Sequence, residues 1–285
     1  MPEDMIAVLL LLLSASGCIY FLGRRQDGRT ILPPGETAYA PWSAIDSGIV
    51  CAVFLAVGIL ASVTAVELAG VLARRSEQTV MILTIAFTYT FNLLTLALIY
   101  HYARRSNWPT AAMGFAVAQP FESVAFGFVF FLLFIPFEFI YPSSIEAIWK
   151  AIFHTEPELQ TTIQFFQTAH APGAIAVTVA AGVIAPIVEE TVFRGFIQRG
   201  FENTFGIVFG VVLTAVLFSV VHGLSATAVE IFPLALLLSV LYARTRNILI
   251  NIAFHASFNT ASLLLLLAQR WLDQGSGVDL GQLFQ

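Results

Sequence analysis

Eight apolar stretches separated by short polar segments run through the chain from end to end. They cover residues 5–22, 46–72, 79–101, 119–140, 173–198, 206–222, 227–243 and 248–267. As α-helices, stretches of this length can cross about 30 Å of hydrocarbon. The pattern therefore predicts an all-α, polytopic membrane protein with about eight transmembrane helices around an intramembrane cavity. Residues 1–285 would form a single integral membrane domain.

Composition supports this prediction. Of the 285 residues, 58% are hydrophobic and 11% are charged, whereas soluble domains are about 45–50% apolar and about 25% charged. The net charge is −5, and the sequence has no basic stripe of the kind that nucleic acid requires. We therefore expect membrane lipid, and no nucleic acid, as a partner. Nothing in the residues specifies an oligomeric state.

The distribution of Lys and Arg over the loops predicts the orientation. Alternate loops carry Arg24, Arg25, Arg29, Arg104, Arg105, Arg199, Arg244 and Arg246 on one side, against Arg74, Arg75, Lys150 and Arg270 on the other. The richer side is expected to be cytoplasmic. Both termini then lie outside, and the turns at 199–205 and 244–247 lie inside. We expect a multi-pass protein of a prokaryotic plasma membrane.

The longest polar connection, residues 141–172, is predicted to be an extramembrane amphipathic loop. Ser143 or Ser144 can cap a short helix over 145–153, in which apolar residues recur at helical spacing. A break follows at 155–158, and a second short amphipathic piece reaches residue 169. Such a pair of helices is typical of a membrane interface.

Charged residues interrupt the apolar pattern within the fifth stretch. Glu189, Glu190 and Arg194 lie there, and an ionisable group in hydrocarbon costs at least about 2.5–3.5 kcal/mol on insertion scales. Glu190 and Arg194 are four residues apart and share a helix face, so they are predicted to pair. Glu189 points about 100° away from Glu190. The arginine can therefore hold one carboxylate while the other faces a different partner.

Other polar outliers occur at compatible depths in later stretches. Counted from the nearest cytoplasmic turn, Glu189 lies roughly 20 Å and His222 roughly 24 Å along their spans. His255 and Asn259 lie roughly 12 and 18 Å along the eighth span, on one helix face. Glu230, roughly 20 Å along the seventh, is a candidate to line the same cavity. We expect these groups to meet in one site, nearer the cytoplasmic half of the membrane.

Three short motifs on successive predicted helices carry a resemblance to a known family. They are Glu189-Glu190-x-x-x-Arg194, Phe218-x-x-x-His222 and His255-x-x-x-Asn259. In this order they resemble the motifs of the CAAX prenyl protease and bacteriocin-processing (CPBP) intramembrane endopeptidases, which include the Ras-converting CAAX endopeptidases. The resemblance covers about 186–260, within the stretch 173–267 that carries the motifs. The amino-terminal half contributes only a compatible helix count.

The resemblance implies a peptide hydrolase and a role for each motif residue. Glu189 would be the general base that activates water, and His222 would help to hold that water. His255 and Asn259 would form the oxyanion site. The supporting pair would be Glu190 and Arg194. Apart from the resemblance, we expect Phe218 and Glu230 to line the cavity. The implied substrate is a CAAX-type prenylated peptide or another hydrophobic, membrane-associated peptide.

Three alternatives stay open from the residues alone. Glu189, His222 and His255 would make a His₂Glu zinc set, although the H-E-x-x-H helix of zinc proteases is absent. We favour a reaction without a cofactor, with zinc as the alternative. A non-catalytic membrane adaptor or channel could use the same polar groups as a buried lock. A transporter is a further option, and Pro186 and Pro233 would then mark broken helices.

Overall fold

The computed structural model describes residues 3–26, 29–35, 39–71, 77–105, 110–155, 163, 166 and 171–273. Within these residues the chain forms eight helices: α1 Glu3–Gly23, α2 Ala44–Val71, α3 Glu77–Arg105, α4 Pro120–Phe153, α5 over 171–205, α6 Ile207–Val221, α7 Ala226–Thr245 and α8 Ile248–Asp273. A 3₁₀ turn at Thr110–Met113 and two antiparallel strands of two residues each, β1 Arg25–Gln26 and β2 Arg29–Thr30, lie in the connections. The predicted all-α class is confirmed.

Most of these helices can span a membrane. Among the described residues, six helices are long and apolar enough to cross one: α1, α2, α4, α5, α7 and α8. The other two, α3 and α6, hold the shorter apolar stretches Ile85–His101 and Ile207–Val221. The predicted count of eight spans therefore stays a prediction. The chain is an integral, multi-pass membrane protein.

The outer surface of the bundle is apolar. Leu13, Ile59 and Val208, on three different helices, are 67%, 65% and 73% exposed. Apolar side chains presented outward over so much of a soluble protein would form an aggregation surface. In a bilayer the same side chains face hydrocarbon and need no further partner.

One predicted helix boundary is wrong. The sequence suggested a span over 119–140 followed by a separate helix over 145–153, but α4 is a single helix that contains Pro136 and Pro142. A proline removes one backbone N–H, and helices in membranes tolerate this loss because neighbouring groups satisfy the freed carbonyl. The helix ends at Phe153 and is followed by the C-cap residue His154, whose backbone is left-handed and whose N–H donates to the carbonyl of Lys150. The second piece predicted up to 169 falls largely outside the described residues, and the loop role of 141–172 stays a prediction.

Helix α5 departs from regular α geometry twice. It begins as an α-helix over Ala171–Val179, widens to a π-helix over Ala180–Ile184, and returns to α over Ala185–Glu189. A second π segment, Glu190–Gln198, precedes the final α turns Arg199–Phe205. Pro186 cannot donate to the carbonyl four residues earlier, which disturbs the regular ladder next to the first π segment. π segments are rare in proteins, and those that do occur are often found at functional sites.

Buried contacts hold α5 at the centre of the bundle. All nine residues of Glu190–Gln198 are buried. Trp42, from the segment before α2, stacks on Phe196 and donates its indole N–H to the Phe196 carbonyl at 2.7 Å. Nearer the end of α5, Glu202 accepts from Gln198 at 2.8 Å and pairs with Arg246 at 2.6 Å. These contacts tie α5 to the segment before α2 and to the turn between α7 and α8.

Candidate active site

A cavity of about 340 Å³ opens between helices α3 to α8. Its polar wall consists of Tyr89, Glu138, Glu189, His222, Glu230, His255, Asn259 and Ser262, and its apolar wall includes Phe218, Ile231, Leu234, Phe258 and Leu263. The structure thus brings together every residue that the sequence suggested for the catalytic group and for the cavity wall. The roles assigned to them stay predictions.

The two adjacent glutamates have different environments. The side chain of Glu189 is 20% exposed and faces the cavity, whereas that of Glu190 is 0% exposed and lies behind the wall. Glu190 pairs with Arg194 at 2.9 Å across four residues of the helix. One carboxylate is therefore committed to an internal ion pair, while its neighbour remains open to the cavity.

Glu190 is the hub of a buried hydrogen-bond network. Its Oε1 accepts from Arg194 Nη1 at 2.9 Å and lies 2.8 Å from Nδ1 of His255. Its Oε2 accepts from Asn251 Nδ2 at 3.2 Å. Buried carboxylates are stable only when paired and hydrogen-bonded in this way. The network connects α5 to the face of α8 that borders the cavity.

Phe218 separates the buried ion pair from the cavity. The guanidinium carbon of Arg194 lies 4.2 Å from the centre of the Phe218 ring, a cation–π distance. The same ring lies 4.7 Å from the ring of His222 and 5.8 Å from that of His255. Phe218 therefore covers the arginine on one side and supports both imidazoles on the other.

The acceptors around the two histidines define which ring nitrogen carries a proton. Nδ1 of His222 lies 2.7 Å from the carbonyl of Phe218, and a carbonyl can only accept. Nδ1 of His255 lies 2.8 Å from the Glu190 carboxylate. Both Nδ1 atoms are therefore donors. Each Nε2 is left to accept when the ring is neutral, or to donate when the ring is an imidazolium.

Helices α5 and α8 approach closely where Asn259 enters the cavity. Nδ2 of Asn259 donates to the carbonyl of Ala181, within the first π segment, at 2.8 Å. A Cβ at the neighbouring Gly182 would lie only 2.5 Å from Oγ1 of Thr260. The glycine thus permits the approach that holds the Asn259 amide. One of the two amide hydrogens is used by Ala181, and the second is available to a ligand.

The zinc set suggested by the sequence does not form here. Among the described residues, no three His, Cys, Asp or Glu side chains are grouped so that they could hold a metal ion. Glu189, His222 and His255 share the cavity wall, but in this arrangement they do not fit a zinc site.

The structure also adds residues that the sequence reasoning missed. Asn251 is fully buried and reaches Glu190; its position four residues before His255, on the same helix face, is a signal that could have found it. Tyr89 and Ser262 line the cavity. Glu138 lines it as well.

A carboxylate, two imidazoles and a carboxamide around one cavity in a membrane bundle define a candidate hydrolytic site. Residues 171–261 match the family model described as Type II CAAX prenyl endopeptidase Rce1-like. This stretch contains all three motifs, and the match confirms the family resemblance that the motifs suggested. The family is one of proteases, which supports an endopeptidase. Comparison with curated proteins and with solved structures found no match.

Proposed function

We propose that this protein is an intramembrane endopeptidase in which Glu189 is the general base that activates water. The observation that carries the proposal is the difference in burial and in partners between the two glutamates. Glu190 is fully buried and bonded to Arg194, whereas Glu189 is 20% exposed in the cavity wall. A base must be within reach of the water that it deprotonates, and Glu189 meets this requirement.

The proposed reaction is hydrolysis of an amide. Glu189 accepts a proton from water while the water oxygen forms a bond to the carbonyl carbon, and the carbonyl π electrons move to its oxygen. A lone pair on the oxyanion then re-forms the C=O bond of the product carboxyl group. The C–N bond breaks at the same time, and its electrons leave with the nitrogen. The proton held by Glu189 passes to the leaving nitrogen. No oxidant, reductant or co-substrate besides water is required.

The remaining cavity residues have matching roles in this proposal. His222 donates through Nδ1 to Phe218, so Nε2 of the neutral ring can accept from the attacking water. The second amide hydrogen of Asn259 can donate to the oxyanion. Nε2 of His255 can donate to the oxyanion only when the ring is an imidazolium, because Nδ1 already donates to Glu190. Donors aimed at a developing oxyanion account for much of the rate in acyl transfer.

The proposed substrate is a hydrophobic, membrane-associated peptide, with a CAAX-type prenylated peptide as the first candidate. The apolar wall supports such a chain. Among the described residues that line the cavity, however, none is Lys or Arg, so the terminal carboxylate of a CAAX tail finds no cation there. Peptides without a free carboxylate therefore belong in the same test.

The test is cleavage by the purified full chain of three fluorogenic peptides. The first is a farnesylated CAAX peptide, the second is the same peptide with an amidated C-terminus, and the third is an unprenylated transmembrane peptide. We expect cleavage of at least one by the wild type and loss of that cleavage in His222→Ala. If none of the peptides is cleaved, or if His222→Ala cleaves as fast as the wild type, the proposal is contradicted. The non-catalytic adaptor would then be the favoured alternative.

A further inference from the structure

We infer that Asn251, which lies outside the three motifs and does not touch the cavity, is a positioning residue that orients His255 through the shared carboxylate of Glu190. The inference rests on the proposed function for its kinetic consequence. Its structural part depends only on the hydrogen bonds from Asn251 and His255 of α8 to Glu190 of α5. Asn251 and His255 are one helical turn apart and both face Glu190.

The two side chains hold opposite oxygens of the same carboxylate. Oε1 of Glu190 receives Arg194 and His255, whereas Oε2 receives Asn251 at 3.2 Å. A carboxylate held at one oxygen can rotate about its last torsion, but one held at both cannot. The position of Oε1, and with it the 2.8 Å contact to Nδ1 of His255, depends on the Asn251 bond to Oε2.

The orientation of the Asn251 amide is fixed by its surroundings. Nδ2 donates to Glu190 Oε2 and to the carbonyl of Leu238 at 2.7 Å. The reversed amide would place Oδ1 against these two acceptors. Within the described residues, Oδ1 itself has no hydrogen-bond partner although it is buried. A buried amide oxygen without a donor lowers the stability of the fold. The two bonds that Nδ2 donates offset this loss.

The consequence reaches the cavity through His255. Its ring has Nδ1 on Glu190, and Nε2 lies 3.8 Å from Oε2 of Glu189. If Glu190 rotates, Nδ1 loses its acceptor and the ring is free to change tautomer or to turn. Nε2 would then no longer hold a fixed position beside the proposed base. Asn251 thus acts on the reaction without contacting substrate.

The chain offers a matched control in Asn247, on the turn before α8. Asn247 is also fully buried, and its Nδ2 also makes two bonds, to the carbonyl of Pro33 at 2.8 Å and to Ser123 Oγ at 2.7 Å. Neither partner belongs to the cavity wall. Asn247→Leu removes the same number of donated bonds as Asn251→Leu, and it also removes the Oδ1 acceptor of the Leu249 N–H at the start of α8. It is therefore the more disruptive of the two variants, and it separates positioning from general loss of packing.

The first test is independent of activity. The full chain, labelled with ¹⁵N-histidine, contains five histidines, and a His255→Gln variant assigns the His255 ring signals. We expect Asn251→Leu to change the His255 signals, with Nδ1 no longer held as the sole protonated donor, and Asn247→Leu to leave them unchanged. His255 signals that are the same in Asn251→Leu and wild type would overturn the inference, whether or not any peptide is cleaved.

The second test reads kinetics on whichever peptide the wild type cleaves. We expect Asn251→Leu to lower kcat by about tenfold or more with KM within about twofold, and to have no further effect in a His255→Ala background. The same proportional loss in both backgrounds would show that Asn251 does not act through His255. If Asn251→Leu does not fold, Asn251→Ser, which keeps one small donor, enters both tests with the same expected directions.

Discussion

Nδ1 of His255 lies 2.8 Å from Oε1 of Glu190. The other ring nitrogen, Nε2, lies 3.8 Å from Oε2 of Glu189, so two glutamates adjacent in sequence bracket one imidazole. The inner contact is a hydrogen bond within a buried network, and the outer distance exceeds hydrogen-bond length. His255 is therefore anchored from behind, and its cavity side remains available to a reacting group.

The buried ion pair is expected to contribute to stability rather than to chemistry. Replacing Arg194 with Met leaves the Glu190 carboxylate buried without its cation, which costs about 3–5 kcal/mol in comparable cases. We expect Arg194→Met to lower the midpoint of thermal unfolding in detergent by about 6–20 °C. Arg104→Met, at an exposed arginine of α3, is the control and should change the midpoint little.

A double variant sharpens that prediction. Glu190→Gln together with Arg194→Met removes both charges, and replacing a buried pair is tolerated better than breaking it. The double variant should recover part of the thermal stability lost in Arg194→Met. An Arg194→Met midpoint equal to that of wild type would show that the ion pair is not what holds this part of α5.

Asn259 is expected to matter as a hydrogen-bond donor. Asn259→Asp keeps the shape but removes the N–H groups that reach Ala181 and, in the proposed reaction, the oxyanion. Loss of one oxyanion donor lowers kcat by about 10²–10³, and we expect this loss with a small change in KM. Steady-state kinetics of Asn259→Asp and Asn259→Ala, which both lack the donor, should agree. Wild-type kcat in either variant would rule out the donor role.

The motif residues could be predicted because their signals are local. Glu190 and Arg194 are an i, i+4 pair, as are His255 and Asn259, and ionisable groups stand out in an apolar stretch. Their convergence followed from counting helical rise on neighbouring spans. Each signal needs only the sequence within one helix and the thickness of a membrane.

Other features could not be predicted because they depend on packing between helices. The π segments of α5 contain no residue type that an α-helix would exclude, so the sequence pattern does not reveal them. The spacing of Asn251 from His255 places both on one helix face, but its partner Glu190 belongs to another helix, so only the packing shows their contact. The predicted span over 119–140 and the separate helix over 145–153 are one helix, α4, although it contains Pro136 and Pro142.

The close approach of α5 and α8 is expected to be sensitive to a side chain at Gly182. Gly182→Val would collide with Thr260, and overpacking of this kind costs about 1–3 kcal/mol. The displacement would also lengthen the bond between Asn259 and Ala181. We expect Gly182→Val to lower both the thermal midpoint and the rate of peptide cleavage.

Gly48 provides the control for that variant, since a Cβ there would meet nothing within 4 Å. Gly48 also lies inside a helix, α2, so Gly48→Val makes the same change in helix propensity without a collision. If Gly48→Val and Gly182→Val behave alike, the close approach at Gly182 has no special importance for the cavity.

The most direct measurement is the kcat for peptide cleavage by Glu189→Gln beside wild type and Glu146→Gln, each with and without a strong zinc chelator. Glu146 is a half-exposed glutamate paired with Lys150 and serves as the matched substitution. The account predicts cleavage lost in Glu189→Gln, kept in Glu146→Gln and unaffected by the chelator. Wild-type kcat in folded Glu189→Gln would contradict the base role, and loss of activity with chelator that zinc restores would contradict the metal-free mechanism.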